Sequence, residues 1–171
     1  MNIRFLRDGR HFLFNGFKPG KPISVWKQAL DGGEAVPVLP EGVRAGGEIS
    51  MDGTRVVGRG PDGVRMIYRI DQKGVPPEPL RGLQTGDVVL RFTPDDRGVF
   101  LFRRDPTGAS ADVFRLDLAS GARTKMYTIV PPAETISLGG VGSLLVSADG
   151  KAYVYACAIA QSDLFVVKGL R

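Results

Sequence analysis

The sequence predicts an all-β fold of repeated antiparallel sheets, and three observations carry the prediction. Asp-centred turn cassettes recur along the chain. Short apolar, alternating segments follow each one. No segment of ten or more residues shows helical periodicity with caps. The cassettes are FLRDGRHFLF from Phe5, ISMDGTRVVG from Ile49, FTPDDRGVFLF from Phe92 and VSADGKAYVY from Val146. Their aspartates, Asp8, Asp52, Asp95 and Asp149, stand 44, 43 and 54 residues apart. The first two intervals match the length of a four-stranded propeller blade, about 40–45 residues. The third is longer because the PPAETISLGGVG stretch from Pro131 enlarges one connection. The expectation is a single domain of β-propeller repeats, about four blades of antiparallel strands forming an open or partial propeller. The repeats run approximately over 1–44, 45–86, 87–135 and 136–171, the last lacking its outer strand. A β-sandwich also uses short strands and frequent turns. It does not predict one cassette at a near-constant interval.

Each element has its own reason. The Asp-Gly pair suits a two-residue hairpin turn, because Gly accepts positive φ freely and Asp tolerates it. Asp also bonds the backbone just beyond it. These aspartates therefore read as turn formers and not as catalytic acids. The third copy, Asp95-Asp96-Arg97-Gly98, is expected to turn over one or two more residues. A second strand follows each turn: HFLFNGF, TRVVGRG, VFLFRRD and AYVYACAI. Third strands follow in ISVWKQAL, VRMIYRI, ADVFRLDL and SDLFVVKG. In the third of these, Val113, Arg115 and Asp117 face one way, and Phe114, Leu116 and Leu118 the other. The fourth strands, EAVPVL, PPEPLR and RTKMYTI, are more polar, and two of them carry proline. Proline is least costly on an edge strand, where no ladder hydrogen bond is lost.

The 171 residues include 43% hydrophobic and 24% charged side chains, a globular composition with a real core. A formal net charge of +5 could suit nucleic acid. The Lys and Arg residues are scattered, so a mildly basic surface is the preferred reading and no nucleic-acid partner is expected. No apolar run is long enough to span a bilayer as a helix, and the charged N-terminus MNIRFLRDGRHFLF is unlike an export signal. The single cysteine, Cys157, permits no intrachain disulfide and is expected to be buried in the run YVYACAIA. With His11 the only histidine, and with no Ca²⁺-loop spacing at Asp95-Asp96 or between Asp105 and Asp112, no metal or other cofactor is expected. Gly139-Gly140-Val141-Gly142-Ser143 lacks the G-K-[ST] ending of a phosphate loop and reads as a connection. A Gly-x-Ser-x-Gly nucleophile elbow is absent.

The D-G-[RTK] cassettes with their apolar pairs and alternating third strands resemble the propeller repeats of the translocation protein TolB and its WD-repeat-like relatives, over nearly the whole chain. The stretch VSADGKAYVYACAIAQSDLFVVKGLR also resembles the end of the propeller appended to certain bacterial receptor-type serine/threonine kinases. That resemblance implies a sensor or interaction domain. The chain itself has no Gly-rich phosphate loop with strand lysine, no H-R-D and no D-F-G, so kinase activity does not carry over.

Without catalytic motifs, a non-catalytic interaction module is the expectation, sensory or scaffolding in role. In propellers the loops joining second to third strands, and fourth to the next first strand, share a face. Here they carry Lys18, Lys21, Arg44, Arg81 and Arg104, a cationic rim that would favour an acidic protein or peptide partner. Phe17 and Trp26 are possible aromatic anchors, with core packing the preferred role for Trp26. The unfinished last blade exposes an edge, so self-association is a further expectation. The rivals are the propeller portion of a peptidase whose catalytic domain lies elsewhere, and a periplasmic carbohydrate-binding propeller. A complete chain would be cytoplasmic; a piece of an anchored receptor would be extracytoplasmic.

Overall fold

The computed structural model describes residues 3–108, 110–132 and 141–157. Fourteen strands and no helix are found among them. The first sheet holds β1 (Ile3–Phe5), β2 (His11–Gly16), β3 (Ser24–Ala29) and β4 (Gly32–Pro37). The second holds β5 (Arg44–Ile49), β6 (Arg55–Arg59), β7 (Arg65–Arg69) and β8 (Glu78–Pro79). The third holds β9 (Asp87–Phe92), β10 (Gly98–Arg104), β11 (Ala111–Asp117) and β12 (Arg123–Ile129), and the fourth β13 (Leu144–Val146) and β14 (Tyr153–Tyr155). Every sheet is an antiparallel meander in sequence order. No helix among the described residues is long and apolar enough to cross a membrane.

The sheets stand side by side like blades. β1 abuts β5, β5 abuts β9, and β9 abuts β13, so the first strands form the inner edge of an arc. Three apolar layers fill the gaps. Leu13 and Val25 of blade one meet Ala45, Val56 and Tyr68 of blade two. Val57 and Ile67 on the other side of blade two meet Val89, Val99, Leu101 and Leu116 of blade three. Phe100, Phe102 and Val113, on the far side of blade three, meet Val141, Leu144 and Val146. Period-two alternation places successive residues of β10 in different layers, and Gly98–Phe102 are all buried. A strand covered on both faces needs an unbroken apolar run, and VFLF is one. The outer strands relax that demand: β4 is mostly exposed, and β8 is only two residues long, one of them Pro79.

The turns differ from the two-residue hairpin. In all four, a backbone bond closes the loop over five residues: Leu6 N to His11 O, Ser50 N to Arg55 O, Thr93 N to Gly98 O, and Ser147 N to Ala152 O. Four residues lie between the two bonded residues in each turn, and the third copy is no longer than the others. The residue after the aspartate takes positive φ: Gly9 at 64°, Gly53 at 74°, Gly150 at 73°, and Asp96 at 55°. Asp96 therefore occupies the glycine position instead of lengthening the turn. A second correction concerns Cys157, which is exposed. β14 ends at Tyr155, so Cys157 lies past the paired strand and outside the apolar layers. The third strand expected in SDLFVVKG, and Gly139-Gly140, lie outside the described residues.

Candidate functional site

The cassette aspartates are bound as turn formers. Asp8 accepts from the backbone N–H groups of Arg10 and His11. Asp52 accepts from Ser50 Oγ and from the Thr54 N–H and hydroxyl. Asp95 accepts from Thr93 and Arg97, and Asp149 from Ser147 and Lys151. Three copies carry Ser or Thr two residues before the aspartate. That hydroxyl donates to the carboxylate and accepts from the closing N–H. The first copy has Leu6 there, and His11 Nδ1 instead lies 2.7 Å from the Asp8 carboxylate. The Arg10 N–H and the His11 ring hold Asp8 down at about 2. For Asp52, partial burial pushes upward, but the Ser50 and Thr54 hydrogen bonds prevail and hold it at about 2. Carboxylates kept ionised and saturated with donors are poor proton shuttles at neutral pH.

The turns surround one end of the arc's axis, where a cavity of about 400 Å³ opens. Its wall comes from all four blades: Arg4, Phe5 and Arg7; Ile49 and Met51; Leu90 and Arg91; Leu145. Among the described lining residues there are three arginines and no carboxylate. Arg91 Nη1 donates to Val146 O at 3.3 Å, and Arg7 Nη2 lies 2.9 Å from Met51 Sδ. Thioether sulfur is a weak acceptor. Arg91 Nε is buried without an acceptor. Phe5 and Leu145 add exposed apolar surface, at 68% and 63% exposure.

The opposite face carries the loops singled out from the sequence, and the structure disperses their cations. Lys18 and Lys21 share one loop. Lys18 Nζ sits 5.3 Å from the centre of the Trp26 ring, and Lys21 pairs with Glu41 at 3.9 Å. Trp26 itself is half-buried, its indole N–H donating to Gly16 O. Phe17 is 73% exposed. Arg81 is exposed and packs with Gly82 against the turn at Gly121 of blade three. Arg104 donates to the carbonyls of Val141 and Gly142, tying blade three to the last repeat.

Arg44 alone of the five gathers other cations. Strand register sets it opposite Arg59, and Arg59 opposite Arg65. All three line a cleft of about 250 Å³ between blades two and three, floored by Val57, Val88 and Val89. The sequence reading missed Arg59 and Arg65. The signal was there: Arg59-Gly60-Pro61-Asp62-Gly63-Val64-Arg65 sets two arginines symmetrically about a Pro-Asp-Gly turn, where strand pairing must bring them together. Beside the cleft, Asp87 is fully buried and its carboxylate takes Arg103 at 2.9 Å and Arg123 at 2.7 Å. Among the described residues, no three His, Cys, Asp or Glu side chains gather as a metal site.

No protein-family model and no curated relative matches the chain. Solved structures do. TolB from Acinetobacter baumannii aligns with a TM-score of 0.61 and 17% identity, over 95% of this chain and 39% of that one. An oligogalacturonate lyase in complex with manganese aligns with a TM-score of 0.58 and 13% identity, over 88% of this chain and 44% of that one. A protein assigned as TolB from Agrobacterium tumefaciens gives 0.55 and 18%, over 76% and 50%. The fold is that of a TolB-like β-propeller. At these identities the likeness is one of fold, and folds of this kind host unrelated functions. The TolB-like propeller described above spans half or less of the length of each of these structures.

Proposed function

We propose that this TolB-like propeller is a non-catalytic interaction module that takes an acidic peptide segment of a partner protein at the axial mouth of its turn face. One observation carries the reading: among the described residues, three arginines and no carboxylate line the axial cavity. Guanidinium groups form charge-assisted, often bidentate hydrogen bonds with carboxylates, so a carboxylate placed on the axis would find donors there. The apolar neighbours Phe5, Met51 and Leu145 favour an acidic residue flanked by an aliphatic one. A cationic lining also speeds encounter with an anionic partner. The loop-face lysines contribute less, since Lys21 is already paired.

Fluorescence anisotropy with a labelled Glu/Leu-rich peptide tests this. Binding is expected at low salt and weakens as added salt screens the charges. Replacing Arg91 by Gln, or Arg7 by Ala, should weaken it about tenfold or more, the effect of losing one charge-assisted hydrogen-bond donor. Equal affinity for a Gln/Leu peptide, or no change in either variant, would contradict the reading.

A further inference from the structure

We propose that the row Arg44–Arg59–Arg65 binds a phosphate group. The row lies on the loop face, opposite the axial mouth, and the inference is independent of any peptide binding there. Its basis is register. Arg44 faces Arg59 across β5 and β6, and Arg59 faces Arg65 across β6 and β7. Directly paired residues point to the same side of a sheet, and neighbouring strands are only about 4.8 Å apart. Three arginine side chains therefore leave one side of the sheet from adjacent strands and line the same cleft. Like charges directly opposite one another destabilise a sheet. No carboxylate lines the cleft among the described residues.

The surroundings do not remove that charge. The nearby Asp87 carboxylate is already shared between Arg103 and Arg123. Arg65 reaches Asp87 only through its backbone carbonyl, at 2.8 Å, and Arg59 Nε donates to Gly63 O at 3.2 Å. A guanidinium offers five N–H donors in a fixed fork, so most donors of the row stay open to a ligand. A carboxylate is planar and singly charged, and it fills one fork. A phosphate carries close to two charges, and its oxygens point out of one plane, which matches forks arriving from three strands. The platform is held firm from behind. A side chain at Gly58 would come within 2.8 Å of Tyr68 and Val43, so β6 lies tight against the first apolar layer.

Calorimetric titration and thermal melting with inorganic phosphate, against sodium acetate at equal ionic strength, test the site. Phosphate should bind and raise the melting temperature beyond the acetate effect. Arg59→Gln should lose about tenfold or more in phosphate affinity. Arg44→Gln, which removes a side chain without a structural hydrogen bond, should do the same and covers the case of a poorly folding Arg59 variant. Lys73→Gln removes the same net charge on an exposed turn away from the cleft and should keep the response. Displacement of inorganic phosphate by a phosphoserine peptide would assign the group to a phosphoprotein; failure to displace it would assign the free ion. Unchanged phosphate affinity in Arg44→Gln, or an equal shift with acetate, overturns the proposal.

Discussion

At the residue scale the turn aspartates carry most of the repeat's identity. Asp8, Asp52, Asp95 and Asp149 each accept several hydrogen bonds, and all four titrate below the ordinary carboxylate value of 3.8. The folded-state value lies below the unfolded one. Their stabilisation is therefore present above the ordinary carboxylate value and is lost at lower pH, for Asp8 and Asp52 as pH falls towards 2. Thermal melting followed over that window should show the descent. Asp52→Ala should lower stability by ~1–2 kcal/mol at neutral pH, from lost hydrogen bonds, and the difference should shrink as pH approaches 2. A pH-independent difference would contradict the assignment. The turn role of these residues was legible from Asp-Gly chemistry. The true loop length was not, because an Asp-Gly pair suits both a two-residue turn and the longer loop found here, with the hydroxyls of Ser50, Thr93 and Ser147 supporting the longer one in three copies.

At the element scale, strands announced themselves wherever burial was one-sided or complete. The run VFLF of β10 and the alternation of β11 follow directly from which faces meet neighbouring blades. The prolines near Glu78 marked an outer strand, and the strand found there is two residues long. The ties between elements were not legible, because they join residues far apart in sequence. Asp87 at the start of β9 is one such tie. It holds Arg103 of β10 and Arg123 of β12, and accepts from the Gln84 N–H, with no exposure of its own side chain. Asp87→Ala would strand two guanidiniums beside the second apolar layer. Removing one partner of a buried pair costs ~3–5 kcal/mol. Denaturant unfolding should show a loss of that size; a loss like that of a surface ion pair, ~0–1 kcal/mol, would mean the cluster is solvated. The arginine row has the same origin. Arg44, Arg59 and Arg65 become a cluster only through the registers of two hairpins, and the first of these was not deducible from composition.

At the scale of the whole molecule, successive cassettes are adjacent corners of neighbouring blades around one axis. The near-constant spacing of the aspartates made the repeat visible, and the structure turns it into an arc with an arginine-lined axial cavity. One residue links the corners directly. Asp96, at positive φ where the other copies have glycine, aims its carboxylate across the gap between blades. Its oxygens accept from the backbone N–H groups of Met51 and Asp52, 45 and 44 residues away, at 2.6 and 2.8 Å. An L-residue in that conformation is strained, and here the inter-blade hydrogen bonds offset the cost. Residue-resolved amide hydrogen exchange, comparing the parent chain with Asp96→Gly, reads this adjacency most directly. The account predicts that the Met51 and Asp52 amides lose protection while the closing Ser50 and Thr93 amides keep theirs. Unaltered exchange at Met51 and Asp52 would mean that the second and third turns are not neighbours, and the radial arrangement would be wrong.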